Sequence, residues 1–377
     1  MDLNYRVEHT CSVTNARAGR LRTTHGEVPT PMFMPVGTQA TVKGVQPEEL
    51  EALGARIILG NTYHLAIRPG IETVRALGGM HRMAGWRRSI LTDSGGFQML
   101  SLANLRKVSE EGVKFRSHLD GALLDLTPEH AIAIQEAIGS DIMMCLDHLE
   151  QATLPKAVHA DALARTTRWA LRCLAARRRD DQALFAIVQG GIDLELRARS
   201  AEELCAHPFD GFAVGGLSVG ESQEAMYDTL EFVAPRLPEN RPRYLMGVGT
   251  PLDLVEGVAR GIDLFDCVMP TRNARKGGLF VQQGTQKANL RNARFKDDND
   301  PIDPGCTCAT CRRFSAGYLR HLLVAGEVLV FGLLSVHNLH IYLDLMARMR
   351  RALVAGRFPE FAQAFRDRCR TAEREKT

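Results

Sequence analysis

The chain has 377 residues, 45% hydrophobic and 24% charged, so it is long enough to bury a full core and is neither a disulfide-stapled miniprotein nor a disordered tail. Its net charge of +3 is too small to mark a nucleic-acid binder by itself; a polyanionic partner would have to meet charge that is concentrated locally. The first ten residues are polar, and the longest apolar stretch, 322–336, is broken by Gly326, Glu327 and Gly332, which argues against a membrane span. Of nine cysteines, six are scattered and three are clustered, so a cytoplasmic protein with reduced thiols is expected.

Eight short apolar runs follow in chain order: 32–36, 56–59, 89–91, 141–146, 183–188, 211–214, 243–246 and 263–269. They alternate little, as strands buried on both faces do. Helical patterns separate many of them, at 128–138 (Thr127 as N-cap, Pro128 at the first position), 156–178, 194–205, 222–233 and 252–259. Eight strands alternating with helices predict an α/β fold, a (β/α)8 TIM-type barrel. The rhythm breaks at 104–127, which reads as an inserted hairpin turning at Asp120-Gly121, and again after about residue 275.

The residues that follow the strands carry the chemistry. The third strand leads into Asp93-Ser94-Gly95-Gly96, the fourth into Asp147, the fifth into Gln189 and the sixth into Gly215-Gly216-Leu217. The seventh leads into Gly247-Val248-Gly249-Thr250, and the last run contains Asp266. In a barrel these ends converge on one mouth, so three carboxylates and a Gln are expected to face one pocket.

Cys306, Cys308 and Cys311 form a C-x-C-x2-C cluster that needs a fourth ligand for tetrahedral zinc; His321, His337 and His340 all follow, and spacing does not choose among them. Between Arg272 and Lys296 lie seven basic residues and no acidic one, a segment suited to a polyanion beside the mouth.

Together the stretches Asn61–Leu65, Leu91–Gln98, Val188–Gly191, Gly215–Glu221, Met246–Thr250, Asp266–Asn273 and the cysteine cluster resemble the bacterial tRNA-guanine transglycosylase (queuine tRNA-ribosyltransferase) family, in order and over essentially the whole length. The resemblance implies an irregular barrel with a zinc subdomain near the C-terminus: a barrel at 1–280, the zinc subdomain at 281–345 and a helical segment at 346–377 packing back on the barrel. It implies exchange of the guanine at the tRNA wobble position for a deazaguanine, with Asp266 as nucleophile and Asp93 as general acid/base. Asp93, Ser94, Gly95, Gly96, Phe97, Asp147, Gln189, Gly216 and Leu217 would then hold the base. Gly247, Val248, Gly249, Thr250, Pro251, Leu252 and Asp253 would contact RNA, as would Thr271, Arg272, Asn273, Ala274 and Arg275. One structural Zn2+ per subunit would sit on Cys306, Cys308, Cys311 and His337. A homodimer is implied through a stretch matching Phe314, Tyr318 and His321.

Two positions bear on which base enters. His148-Leu149 departs from the usual bacterial Glu-Cys, whereas Val219 is the bacterial type and favours the aminomethyl-deazaguanine precursor over queuine. A non-catalytic tRNA-binding subunit would have lost the nucleophile, and Asp266 and Asp93 are both present. A sugar-directed barrel glycosidase would have no use for the zinc cluster or the basic segment.

Overall fold

Parallel strands form at all eight apolar runs of the computed structural model, which describes residues 4–96, 106–117 and 121–374. They are Met32–Met34 with Val36–Gly37, then Ile57–Gly60, Ser89–Thr92, Ile142–Met144, Ala183–Val188, Gly211–Val214, Arg243–Leu245 and Leu264–Asp266. The first strand is split at Pro35, which has no N–H to give, while its carbonyl still accepts from Leu59 N at 2.9 Å. The ring closes where Met32 and Met34 pair with Leu264 and Asp266. Every residue of Ala183–Val188 is buried, as expected where helices cover one face and the barrel interior fills the other.

The outer helices start where short polar side chains can cap them. Thr127 accepts from His130 N, Asp193 from Leu196 N, Ser222 from Ala225 N and Thr250 from Asp253 N, each satisfying an amide that the helix cannot. The final strand is shorter than its apolar run: it stops at Asp266, and helix Met269–Ala274 begins three residues later. That break leaves Asp266 at the mouth.

The insertion differs from expectation. It is a three-stranded antiparallel sheet of Arg106–Val108, Val113–Arg116 and Leu123–Leu126, with Asp120 outside the described residues. The extra strand is possible because Gly112 turns the chain tightly against Leu126, with no room for a Cβ. Arg168 grips the Glu110 carboxylate and Arg172 its carbonyl, fastening the insert to helix Lys156–Ala176.

The N-terminal sheet, Asn4–Thr10, Arg17–Thr23 and Gly26–Thr30, was not anticipated. It covers the end of the barrel opposite the mouth. There Tyr5 Oη donates to Asp263 at 2.7 Å, Arg17 pairs with the same carboxylate, and Thr23 meets Ser89 at 2.8 Å.

At the other end of the chain, helix Leu329–Val354 runs unbroken through residue 345. Its first turns join an apolar cluster with Leu279, Leu290, Leu319 and Leu323; its later turns join the barrel core through Leu339, Tyr342, Met346 and Met349. By length and composition this helix could cross a membrane, but 67% of its most apolar window is buried in the protein, the mark of a core helix. Helix Phe358–Arg374 packs Phe358 and Phe365 on the barrel, and Arg366 pairs with Glu256.

Candidate active site

A cavity of about 450 Å³ opens at the C-terminal mouth of the barrel, and Asp93, Asp147 and Asp266 all line it. Asp266 is buried, and its Oδ1 accepts from Tyr244 Oη at 2.6 Å and from Gly247 N at 2.7 Å. Its Oδ2 takes no hydrogen bond from the described residues. One oxygen is thus tethered and the other is left to face the cavity. Burial raises the Asp266 pKa, and the two donors oppose that rise.

Asp93 accepts from Asn61 Nδ2 on Oδ2 and from Thr62 N at 3.0 Å on Oδ1. Burial nevertheless pushes its carboxyl up to about 7; the Thr62 amide pulls down and the nearby Asp266 charge pushes further up. A group poised there can give and take a proton near neutral pH. Asn61 and Thr62 belong to the Asn61–Leu65 motif but were given no role from sequence. Asn61 also caps its helix by accepting from His64 N. Tyr244 was missed as well, because an aromatic residue inside a strand carries no sign of its partner.

Ser94, Gly96, Asp147, Gly216 and Leu217 line the floor of the cavity, and Gln189 lies behind them, bracing Asp147. Gln189 Nε2 donates to Asp147 Oδ2 at 2.7 Å, and Ser94 Oγ to Asp147 Oδ1 at 3.4 Å. Burial lifts the Asp147 carboxyl to about 6 against the pull of Gln189. Gly96 and Gly216 leave room for the floor: a Cβ on the first would press on Asp147 Oδ1, and Gly216, at a positive φ that favours glycine, abuts Gln189 Oε1. Gly95 and Leu217 flank them, and Phe97 lies outside the described residues. His148 turns away, with its ring nitrogens 2.9 Å from Arg165 and Glu150, while Leu149 and Val219 line the cavity.

The expected RNA-contacting residues divide by burial. Gly247 and Arg272 are exposed, and Thr250, Leu252, Asn273 and Arg275 are half-buried. Val248, Gly249, Pro251, Asp253, Thr271 and Ala274 are buried and shape the rim from within. Asp253, for example, accepts from Thr250, Gln223 and Tyr227.

Cys306, Cys308, Cys311 and His337 come together with ligand atoms all within 4.8 Å of one another. The three sulfurs lie 3.5, 3.7 and 3.3 Å from His337 Nδ1. Tetrahedral zinc with Zn–S ~2.3 Å and Zn–N ~2.05 Å implies a separation of roughly 3.6 Å, so the residues fit the ion. His337 Nε2 donates to the Phe280 carbonyl at 2.8 Å, which leaves Nδ1 as the ligating nitrogen. His340 instead meets Thr307 Oγ1 at 3.3 Å, and His321 is exposed on helix Ala316–Ala325. A second group with metal-capable side chains, His25, His81 and Asp141, lies at the opposite end of the barrel. There Asp141 already accepts from Thr24, His25 and Ile90 N, and His81 Nε2 faces the Arg88 carbonyl, so the group serves as a polar clamp.

A tethered carboxylate and a proton-bearing carboxyl facing one sheltered, base-sized cavity are the equipment of an enzyme that breaks and remakes a glycosyl bond. Comparison with known proteins makes the assignment specific. The family model described as queuine tRNA-ribosyltransferase matches residues 11–371, and the chain belongs to that family. Proteins named queuine tRNA-ribosyltransferase from Syntrophobacter fumaroxidans, Moorella thermoacetica and Thermus thermophilus are 53%, 54% and 51% identical. These matches span 96%, 94% and 96% of this chain and 97%, 95% and 93% of the relatives.

Proposed function

We propose that the protein is a tRNA-guanine transglycosylase, a pentosyltransferase that exchanges the guanine at the tRNA wobble position for 7-aminomethyl-7-deazaguanine. The observation that supports this reading is that Asp266, tethered through one oxygen, and Asp93, whose carboxyl is raised by burial, line one cavity. Asp266 Oδ2 attacks C1′ of the target ribose as Asp93 gives its proton to the departing guanine. The ribosyl ester then waits while Asp93 takes a proton from the incoming base, whose nitrogen attacks C1′ and frees Asp266. Asp147, Gln189 and the backbone at Gly216-Leu217 hold both bases, and the enclosed floor keeps water from the ester. Cys306, Cys308, Cys311 and His337 would complete a four-ligand zinc site with no open position, so the ion, when bound, would serve to fold its subdomain.

Asp266→Asn keeps shape and removes the attacking charge. Exchange of labelled guanine into tRNA should fall by several orders of magnitude (roughly 10³ or more), and no tRNA–protein adduct should survive denaturing electrophoresis. A normal adduct yield would overturn the assignment. Val219 crowds the end of the cavity, so wild-type enzyme should discriminate against queuine and Val219→Gly should relax that. Efficient queuine incorporation by wild type would overturn the base assignment alone.

The same reading includes a homodimer in a reducing, cytoplasmic setting. All nine thiols are unpaired. Phe314 packs against the subdomain's own core of Leu319, Leu322 and Leu323 and stacks on Tyr318 at 5.5 Å, while Tyr318 is 42% exposed and His321 also faces out. Native mass measurement at micromolar concentration checks the dimer.

A further inference from the structure

Helix Leu194–Cys205 carries a fully buried arginine, Arg197, that makes no ion pair among the described residues. Its guanidinium instead donates to three backbone carbonyls: Nε to Gly191 at 2.7 Å, Nη1 to Val188 at 2.7 Å and Nη2 to Gly215 at 2.8 Å. Val188 ends the fifth barrel strand, and Gly215 follows the sixth. The last bond of the ladder between these strands, from Gly215 N to the Val188 carbonyl at 3.1 Å, runs directly beside the guanidinium.

Between the three tethered carbonyls sit Gly216, which lines the cavity, and Gln189, which braces the cavity-lining Asp147. Gln189 lies inside the loop that Arg197 holds at both ends, and its amide nitrogen donates to Ser200 Oγ, on the same helix, at 3.1 Å. Gly216 follows the third tethered carbonyl, and a Cβ there would press directly on Gln189 Oε1. Removing a guanidinium from water is costly, and an apolar side chain would occupy the same volume without that cost. What it could not do is hold two loops at a fixed spacing, because only the planar fork of Arg presents several rigid donors at once. Burial pushes the Arg197 pKa down to about 9, so the side chain stays charged near neutrality.

We infer that Arg197 is a positioning residue for base recognition: it locks the Gln189 loop to the Gly215–Leu217 loop and so sets the width of the slot that accepts the base. It touches no substrate. The inference rests on the transglycosylase reading and deepens it by assigning base affinity, as distinct from tRNA affinity, to a buried residue behind the pocket wall.

The test compares Arg197→Lys and Arg197→Met with Arg17→Met, a change at the far end of the barrel where Arg17 pairs with Asp263. Thermal melts first establish how much stability each loses. In both Arg197 variants the KM for the incoming base should rise about tenfold or more while the KM for tRNA stays within about twofold. Lys keeps the charge but not the fork, so it should not rescue. Arg17→Met should lose stability without splitting the two KM values. An unchanged base KM in Arg197→Lys, a parallel rise in both KM values, or the same split in Arg17→Met would overturn the inference. Absence of exchange by wild-type enzyme would instead overturn the function on which it rests.

Discussion

Burial, more than any neighbouring charge, keeps a proton on Asp93 near neutral pH, and that has a measurable cost. A carboxyl at about 7 in the folded protein and near ~4 in the unfolded chain binds more protons when folded across that window. Stability therefore falls as pH rises from ~4 to ~7 and stays reduced above it. Asp147, at about 6, adds in the same direction. Asp93→Asn should abolish exchange yet melt at a higher temperature than wild type at pH ~8, with the difference closing toward pH ~4. A melting curve for the variant that falls with pH as steeply as wild type would place the titration elsewhere. Asp93 and Asp147 were legible because each follows an apolar run and Asp266 because it lies within one, where a barrel gathers its side chains at the mouth; Gln189 follows a run as well but lies behind the wall, against Asp147. Asn61 and Tyr244, which hold the two working carboxylates, were not: their role is a tertiary contact between strand ends, and nothing in spacing encodes a partner that far away in sequence.

Capped helices and doubly buried strands were readable because local chemistry and burial period agree. The N-terminal sheet was not, since its strands mix Arg, Glu and Thr with few apolar residues and earn their place by covering a barrel end. The three-stranded insert was half-visible: its turn signal showed one hairpin, whereas the other turn depends on Gly112 meeting Leu126. In the metal subdomain the cysteines were plain and the histidine was open on spacing alone, because one long helix carries both His337 and His340 and only their facing decides. His337→Ala and Cys308→Ala should therefore lose bound zinc and a large part of subdomain stability, since binding energy there is folding energy. His340→Ala should keep one zinc per chain. Elemental analysis that finds zinc in His337→Ala and none in His340→Ala would exchange the two assignments.

Charge is distributed over the molecule in a way that net charge conceals. Many arginines away from the mouth are paired, such as Arg17, Arg172, Arg177, Arg350 and Arg366. Arg272, Arg275, Lys276, Lys287, Arg291, Arg294 and Lys296 make no ion pair among the described residues, and they run from the mouth to the metal subdomain. Lys287 and Arg294 line a surface pocket together with Asn273, Asn289 and Asn292. If phosphates supply the missing partners, Lys287→Ala and Arg294→Ala should each weaken tRNA binding and lower the slope of log affinity against log salt by about one. A slope identical to wild type would show that RNA runs elsewhere. The ring closure carries a different consequence. Asp266 lies on the last strand, and its backbone is held by Met34 of the first. On a ribosome the strand that ends at Asp266 is made last of the eight, and its pairing is complete only when it lies between Arg243–Leu245 and Met32–Met34, a strand made at the start. The ring therefore closes last, and with Asp266 in its proposed role a chain stalled or clipped before that residue would have no nucleophile with which to open a glycosidic bond in tRNA.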